Sequence, residues 1–151
     1  MAYRFRLESV LNYRRNLEEV AQQKLARERM LLDGHREVLA RFEAELARFV
    51  AELEQRKQKP MAAPLYSLYV QAIDRKEGDI ARQHRVIAAQ AKAVERARQH
   101  LVERVKERKV MEKARERDQE KYLREALRLE QNASDEQMVL RFNRHGSRLS
   151  R

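Results

Sequence analysis

The chain has 151 residues, of which 38% are charged, 42% hydrophobic and only 6% aromatic, with three glycines, two prolines and no cysteine. That composition belongs to long helices or a coiled coil rather than a thick-cored globule, and it excludes a disulfide framework and thiol chemistry. A formal net charge of +10 leaves two readings open: a solvated helix surface with surplus arginine, or a surface for an acidic partner.

The opening "MAYRFRLESV" carries charge at Arg4, Arg6 and Glu8 and no apolar run, so it does not read as a secretory signal. A first helix is expected over about residues 5–58. One heptad column holds Leu11, Glu18, Leu25, Leu32, Leu39, Leu46 and Leu53, and the other holds Leu7, Arg14, Ala21, Glu28, His35, Phe42 and Phe49. Apolar residues at this 3.5-residue spacing over so many heptads signal a coiled-coil seam. Val10, Leu17, Leu31 and Val38 widen the apolar stripe on one flank.

The segment "KPMAAPLYSLY", residues 59–69, holds both prolines. Proline lacks an N–H and biases the residue before it away from helical angles, so Lys59 and Ala63 are expected to be non-helical and residues 59–65 to form a turn. Pro64 could alternatively be the first residue of the next helix, with Ser67 a second candidate for its cap. The surrounding uncharged stretch, residues 60–73, is too short to span a bilayer.

A second helix is expected over about residues 66–142. Its strong column is Tyr66, Ile73, Ile80, Ile87, Val94 and Leu101; its companion, Tyr69, Lys76, Gln83, Gln90 and Ala97, is more polar. Beyond Leu101 the pattern fades. The spacing of Ser134 and Gln137 allows a helix restart within "QNASDEQ", and Gly146 is expected to end the helix, leaving residues 143–151 as a tail. The fold class is therefore all-α: a long antiparallel two-stranded coiled-coil hairpin in one domain. Leu7 should meet the second helix near residue 117, and everything after that overhangs. A parallel dimeric rod with a kinked middle is the competing architecture.

Nothing in the sequence assembles a catalytic site. His35, His84, His100 and His145 are scattered, and no Asp/Glu/His cluster has metal-ligand spacing. His35 falls in a seam column, where a polar layer that fixes register is the plainer role. The expectation is a non-enzyme without metal, cofactor or small-molecule substrate. Function must lie in surfaces. Residues 104–130 hold ten basic and seven acidic side chains but Tyr122 as the one aromatic, which favours a protein partner over a single-stranded nucleic acid. Near the turn, Phe42, Phe49, Tyr66 and Tyr69 gather; the first two suit the last seam layers, whereas the tyrosines could present rings to a partner.

Two stretches carry a family resemblance. "YRFRLESVLNYRRNLEEVAQQKLA" and "ERKVMEKARERDQEKYLREALRLEQNASDEQMVLRF" resemble the two ends of the flagellar export protein FliJ, although "NASDE" lacks the leucine that usually precedes Asp-Glu. The resemblance implies an antiparallel coiled coil, monomeric when free, in the cytoplasmic part of the flagellar type III export apparatus and peripheral at the inner face of the membrane. It implies binding to the export ATPase FliI, contact with the export gate FlhA and an escort role for export chaperones. By that analogy the ATPase-facing surface is Phe5, Arg14, Arg15, Arg108, Lys109, Lys113, Arg117, Lys121 and Tyr122. The gate-facing surface is Phe42, Leu46, Phe49, Ile73, Ile80 and His84. A basic helical hairpin binding nucleic acid or the ribosome remains the alternative.

Overall fold

The computed structural model describes residues 2–149. Two helices account for nearly all of it: α1, Glu8–Arg56, and α2, Ala63–Leu149. No strand occurs among the described residues. The helices form an antiparallel hairpin, with α2 the longer partner.

Leu7 leads into α1, its carbonyl accepting from the Leu11 amide at 3.0 Å. The acidic first-turn residue Glu8 complements the positive end of the helix dipole. At the far end the amide of Lys57 still bonds to Leu53, and the amide of Lys59 closes a last tight turn onto Arg56 at 3.3 Å. Lys59 is non-helical, as expected ahead of Pro60. Ala63 is not: it is helical, and α2 starts three residues earlier than residue 66. The physical reason lies in Ala62, whose carbonyl accepts from both Leu65 and Tyr66. This puts Pro64 in the first turn, where an amide has no helical partner and its loss costs nothing. The bias against helical angles before proline is outweighed there.

The C-terminal expectations also change. α2 runs without a restart through Ser134 and without a stop at Gly146, so residues 143–149 are helix rather than tail. No glycine takes a positive φ. Instead of a left-handed cap, this end has side chains folded back on the helix itself: Ser147 Oγ donates to the Arg144 carbonyl at 3.1 Å, and His145 Nδ1 lies 3.1 Å from the Arg141 carbonyl. Residues 150 and 151 of the expected tail lie outside the described residues.

Two compact units make up the chain, one of Leu17–Arg104 and one of Met1–Asn16 with Val105–Arg151. In the first, the turn unit, both expected columns form the seam. Ala21, Leu25, Leu32 and Leu53 of α1 and Ala97 of α2 are buried. Three polar residues of the companion column reach across: Gln90 Nε2 donates to the Glu28 carbonyl at 2.9 Å and to its carboxylate at 2.5 Å, Gln83 Nε2 donates to the His35 carbonyl at 2.9 Å, and Lys76 Nζ pairs with Glu45 at 2.5 Å. The partners fall along α1 as they rise along α2, which defines the antiparallel sense and rules out the parallel dimer. The polar layer expected at His35 is made by its backbone.

The second, terminal unit centres on Leu11, fully buried, and Met111. Here α1 does the reaching. Arg14 Nη1 donates to the Glu107 carbonyl at 2.9 Å, and Glu8 pairs with Arg115 at 3.5 Å. Ahead of α1, the Tyr3 hydroxyl donates to Asp118 Oδ2 at 2.9 Å, and its ring lies 5.3 Å from that of Tyr122. Pairing therefore continues to residue 122. From residue 123 to 149 every side chain but Ala126 is exposed, so this stretch is the overhang.

Candidate partner-binding surfaces

The terminal unit divides the proposed ATPase-facing residues into two groups. Arg14 and Arg15 are engaged with α2, the latter with Glu112 at 3.6 Å, and Arg108 also pairs with Glu112, at 2.8 Å. The Tyr122 ring lies tilted against that of Tyr3. Phe5 is half-buried and lines a small cleft with Tyr3, Arg4, Glu8 and Arg115. These five hold the unit together. Lys109, Lys113, Arg117 and Lys121 are exposed and make no ion pair among the described residues. Steps of four residues along a helix drift about 40° each, so they form a slowly winding basic ridge. Arg117 and Lys121 share a surface groove with Arg124 and Arg128, which sequence reasoning left out of the site although both were in plain sight.

Tyr3, Arg115 and Asp118 were also missed. Only a correct register, extended ahead of α1, could have brought them together. Partial burial and the hydrogen bond to Asp118 push the Tyr3 phenol above its ordinary value, so it stays protonated as a donor.

At the turn end, the proposed gate-facing Phe42, Leu46, Phe49, Ile73 and Ile80 are half-buried seam residues that offer only their edges. His84 is exposed on one flank. Each aromatic ring here carries a cation: Lys76 over Phe42 at 4.7 Å, Arg48 over Phe49 at 5.6 Å, Arg56 over Tyr69 at 5.6 Å and Lys57 over Tyr66 at 5.7 Å. Such contacts are worth about 0.5–1 kcal/mol at exposed sites. Leu68, which the sequence reading passed over, is largely exposed and joins Phe49, Leu65 and Tyr69 around an open groove. The Glu45 carboxylate is held below the ordinary range, first by its hydrogen bond from Lys76.

Among the described residues no group of His, Asp and Glu could hold a metal ion, and no helix is long and apolar enough to cross a membrane. An antiparallel helical hairpin with its chemistry spread over ridges and edges is a protein built to engage other macromolecules. The sequence profile of the flagellar FliJ protein family matches residues 3–147, and the chain belongs to that family. It is thereby a component of a type III export apparatus, in a family of structural or adaptor proteins rather than enzymes. Among solved structures, the hairpin is similar to one described as a YscO homolog, CT670 from Chlamydia trachomatis. The TM-score is 0.71 at 21% identity, covering 97% of this chain and 99% of that one, a likeness of fold. No curated protein matches the sequence.

Proposed function

We propose that the chain binds the flagellar export ATPase FliI through its terminal unit, promotes assembly of the ATPase ring, and contacts the export gate FlhA through the turn-proximal surface. It works in the cytoplasm, at the inner face of the membrane through its partners, and engages export chaperones in the same apparatus. The observation that carries this reading is the exposed ridge of Lys109, Lys113, Arg117 and Lys121, beside arginines already committed to holding the hairpin. Cations free of internal partners on a helix surface are available to an acidic protein face, and they steer association. At the other unit, His84 and the exposed edges of Phe42, Leu46, Phe49, Ile73 and Ile80 supply the gate contact.

The test is a paired binding measurement. Arg117→Glu with Lys121→Glu should weaken binding to purified ATPase at least tenfold, about 1.4 kcal/mol, and leave gate binding unchanged. His84→Glu should do the reverse. Equal loss of both partners in either variant overturns the division. Tight association with RNA, weakening linearly in the logarithm of salt, would replace it with the nucleic-acid alternative.

A further inference from the structure

The two flanks of the turn unit differ. In a 3.5-residue repeat, the position just before each seam residue lies on one side of the seam and the position just after on the other. On the "after" side, along residues 22–43 and 84–98, stand Gln22, Arg29, Arg36 and Glu43 of α1 with His84, Ala91 and Arg98 of α2. Nothing apolar on that side of these segments is larger than alanine. On the "before" side stand Leu17, Val20, Leu31 and Val38 of α1 with Val86, Ala89 and Ala93 of α2. Leu31 is 53% exposed, Val20 58% and Val86 40%. That these two series share one side is set by a groove of about 360 Å³ lined by Lys24, Glu28, Ala93, Arg96, Ala97 and His100.

We infer that this flank is a docking groove for an amphipathic helix of another protein, one whose apolar stripe is bordered by carboxylates. Three observations select that occupant. The floor is apolar and built with small residues: Ala89 and Ala93 offer little more than backbone, and a Cβ added at Gly34 would meet nothing within 4 Å, so a third helix can approach closely. The rims are cationic. Lys24, Arg27 and Arg96 are exposed along the groove and make no ion pair among the described residues, and the one acid within it, Glu28, is tied to Gln90. Finally, a second copy of this chain fits poorly: it would bring the same cations against these, on molecules that each carry +10. From Leu17 to Val38 the groove runs about 32 Å, room for a helix of about 21 residues. Apolar contact would supply affinity, and the arginine and lysine rims would select orientation and reject basic competitors.

The probe is a synthetic helix of that length with one stripe of leucine and alanine flanked by glutamates, titrated against the full chain by fluorescence anisotropy. Binding is expected. Leu31→Glu and Arg96→Glu should each weaken it about tenfold or more, while Arg29→Glu, on the opposite flank, should leave it unchanged. All three positions are exposed, and unchanged far-ultraviolet circular dichroism confirms that the variants fold. A peptide with lysines in place of the glutamates should not bind. No binding of the acidic peptide, equal binding of the lysine peptide, or equal weakening by Arg29→Glu overturns the proposal. So does a dimer in sedimentation that Leu31→Glu dissociates, since the groove would then serve self-association. The ATPase reading rests on terminal-unit residues and stands or falls separately.

Discussion

The turn unit and the terminal unit close the same kind of seam by opposite means. In the turn unit, neutral amides on α2, Gln83 and Gln90, reach backbone carbonyls of α1. In the terminal unit the donors sit on the other strand: Arg14 and the pre-helical Tyr3 reach carbonyls of α2, at Glu107 and Arg115, reinforced by the Glu8–Arg115 and Arg15–Glu112 pairs. The apolar contribution differs as well, five buried residues against two. Where the core is thicker, two neutral amide ties and the single Lys76–Glu45 pair set register. Where it thins to Leu11 and Met111, charge carries more of the closure.

The largest test of this contrast is Leu11→Ala. Removing the one fully buried side chain should cost about 3 kcal/mol. Hydrogen exchange should show protection lost over residues 8–16 and 105–115, with Leu25 and Ile87 still protected. Loss spread evenly over both units would mean that they are one cooperative body. Next, Gln83→Ala with Gln90→Ala should cost about 2 to 3 kcal/mol by thermal melting, since the two side chains make three cross-helix hydrogen bonds that each contribute about 1 kcal/mol net. The same double variant should broaden the register seen in cross-linking near the turn while leaving Tyr3–Asp118 proximity intact. Gly34→Ala should stabilise the free chain by up to about 1 kcal/mol, because a helix interior favours alanine and the space beside Gly34 is open. A drop in melting temperature would show that something already packs there.

The smallest effect is in pH, and it has opposite signs in the two units. Glu45 has its folded value lowered by Lys76, so its contribution is present above the ordinary carboxylate range and is lost as pH falls through the lowered value. Tyr3 has its folded value raised, so its contribution is present below the ordinary phenol value and is lost as pH rises through the raised one. Acid should therefore loosen the turn unit at Glu45, and alkali the terminal unit at Tyr3. Glu45→Gln should flatten the acid limb and Tyr3→Phe the alkaline limb, read from exchange rates of neighbouring amides.

Much of this architecture was legible in the residues. The columns through Leu11 and Leu53 and through Ile73 and Leu101 are the observed seam, and the prolines mark the reversal. Seam periodicity reports burial against a partner, which is why it was silent where no partner exists. In the overhang the true extent of α2 was hidden, and Gly146 was read as a stop although a glycine ends a helix only when a cap is built around it. The site was less legible. Arg14, Arg15 and Lys109 are alike as letters, and only the cross-helix partner distinguishes a clamp from an available cation. Tyr3 drew no reading of its own because its partners, Asp118 and Tyr122, lie over a hundred residues away.

The two glutamine ties fall seven residues apart on both helices, from Gln83 to His35 and from Gln90 to Glu28. A lengthwise slip by fewer residues would strand both amides, whereas a slip of one whole heptad would mate an amide with the next repeat. The turn leaves no spare length for that: the Ala62 carbonyl already accepts the first bonds of α2, and Lys59 still bonds to the end of α1. Sliding in this unit is thus permitted only in discrete notches, and the first notch is out of reach. A load applied at the bend must bend or melt the helices rather than shear one along the other.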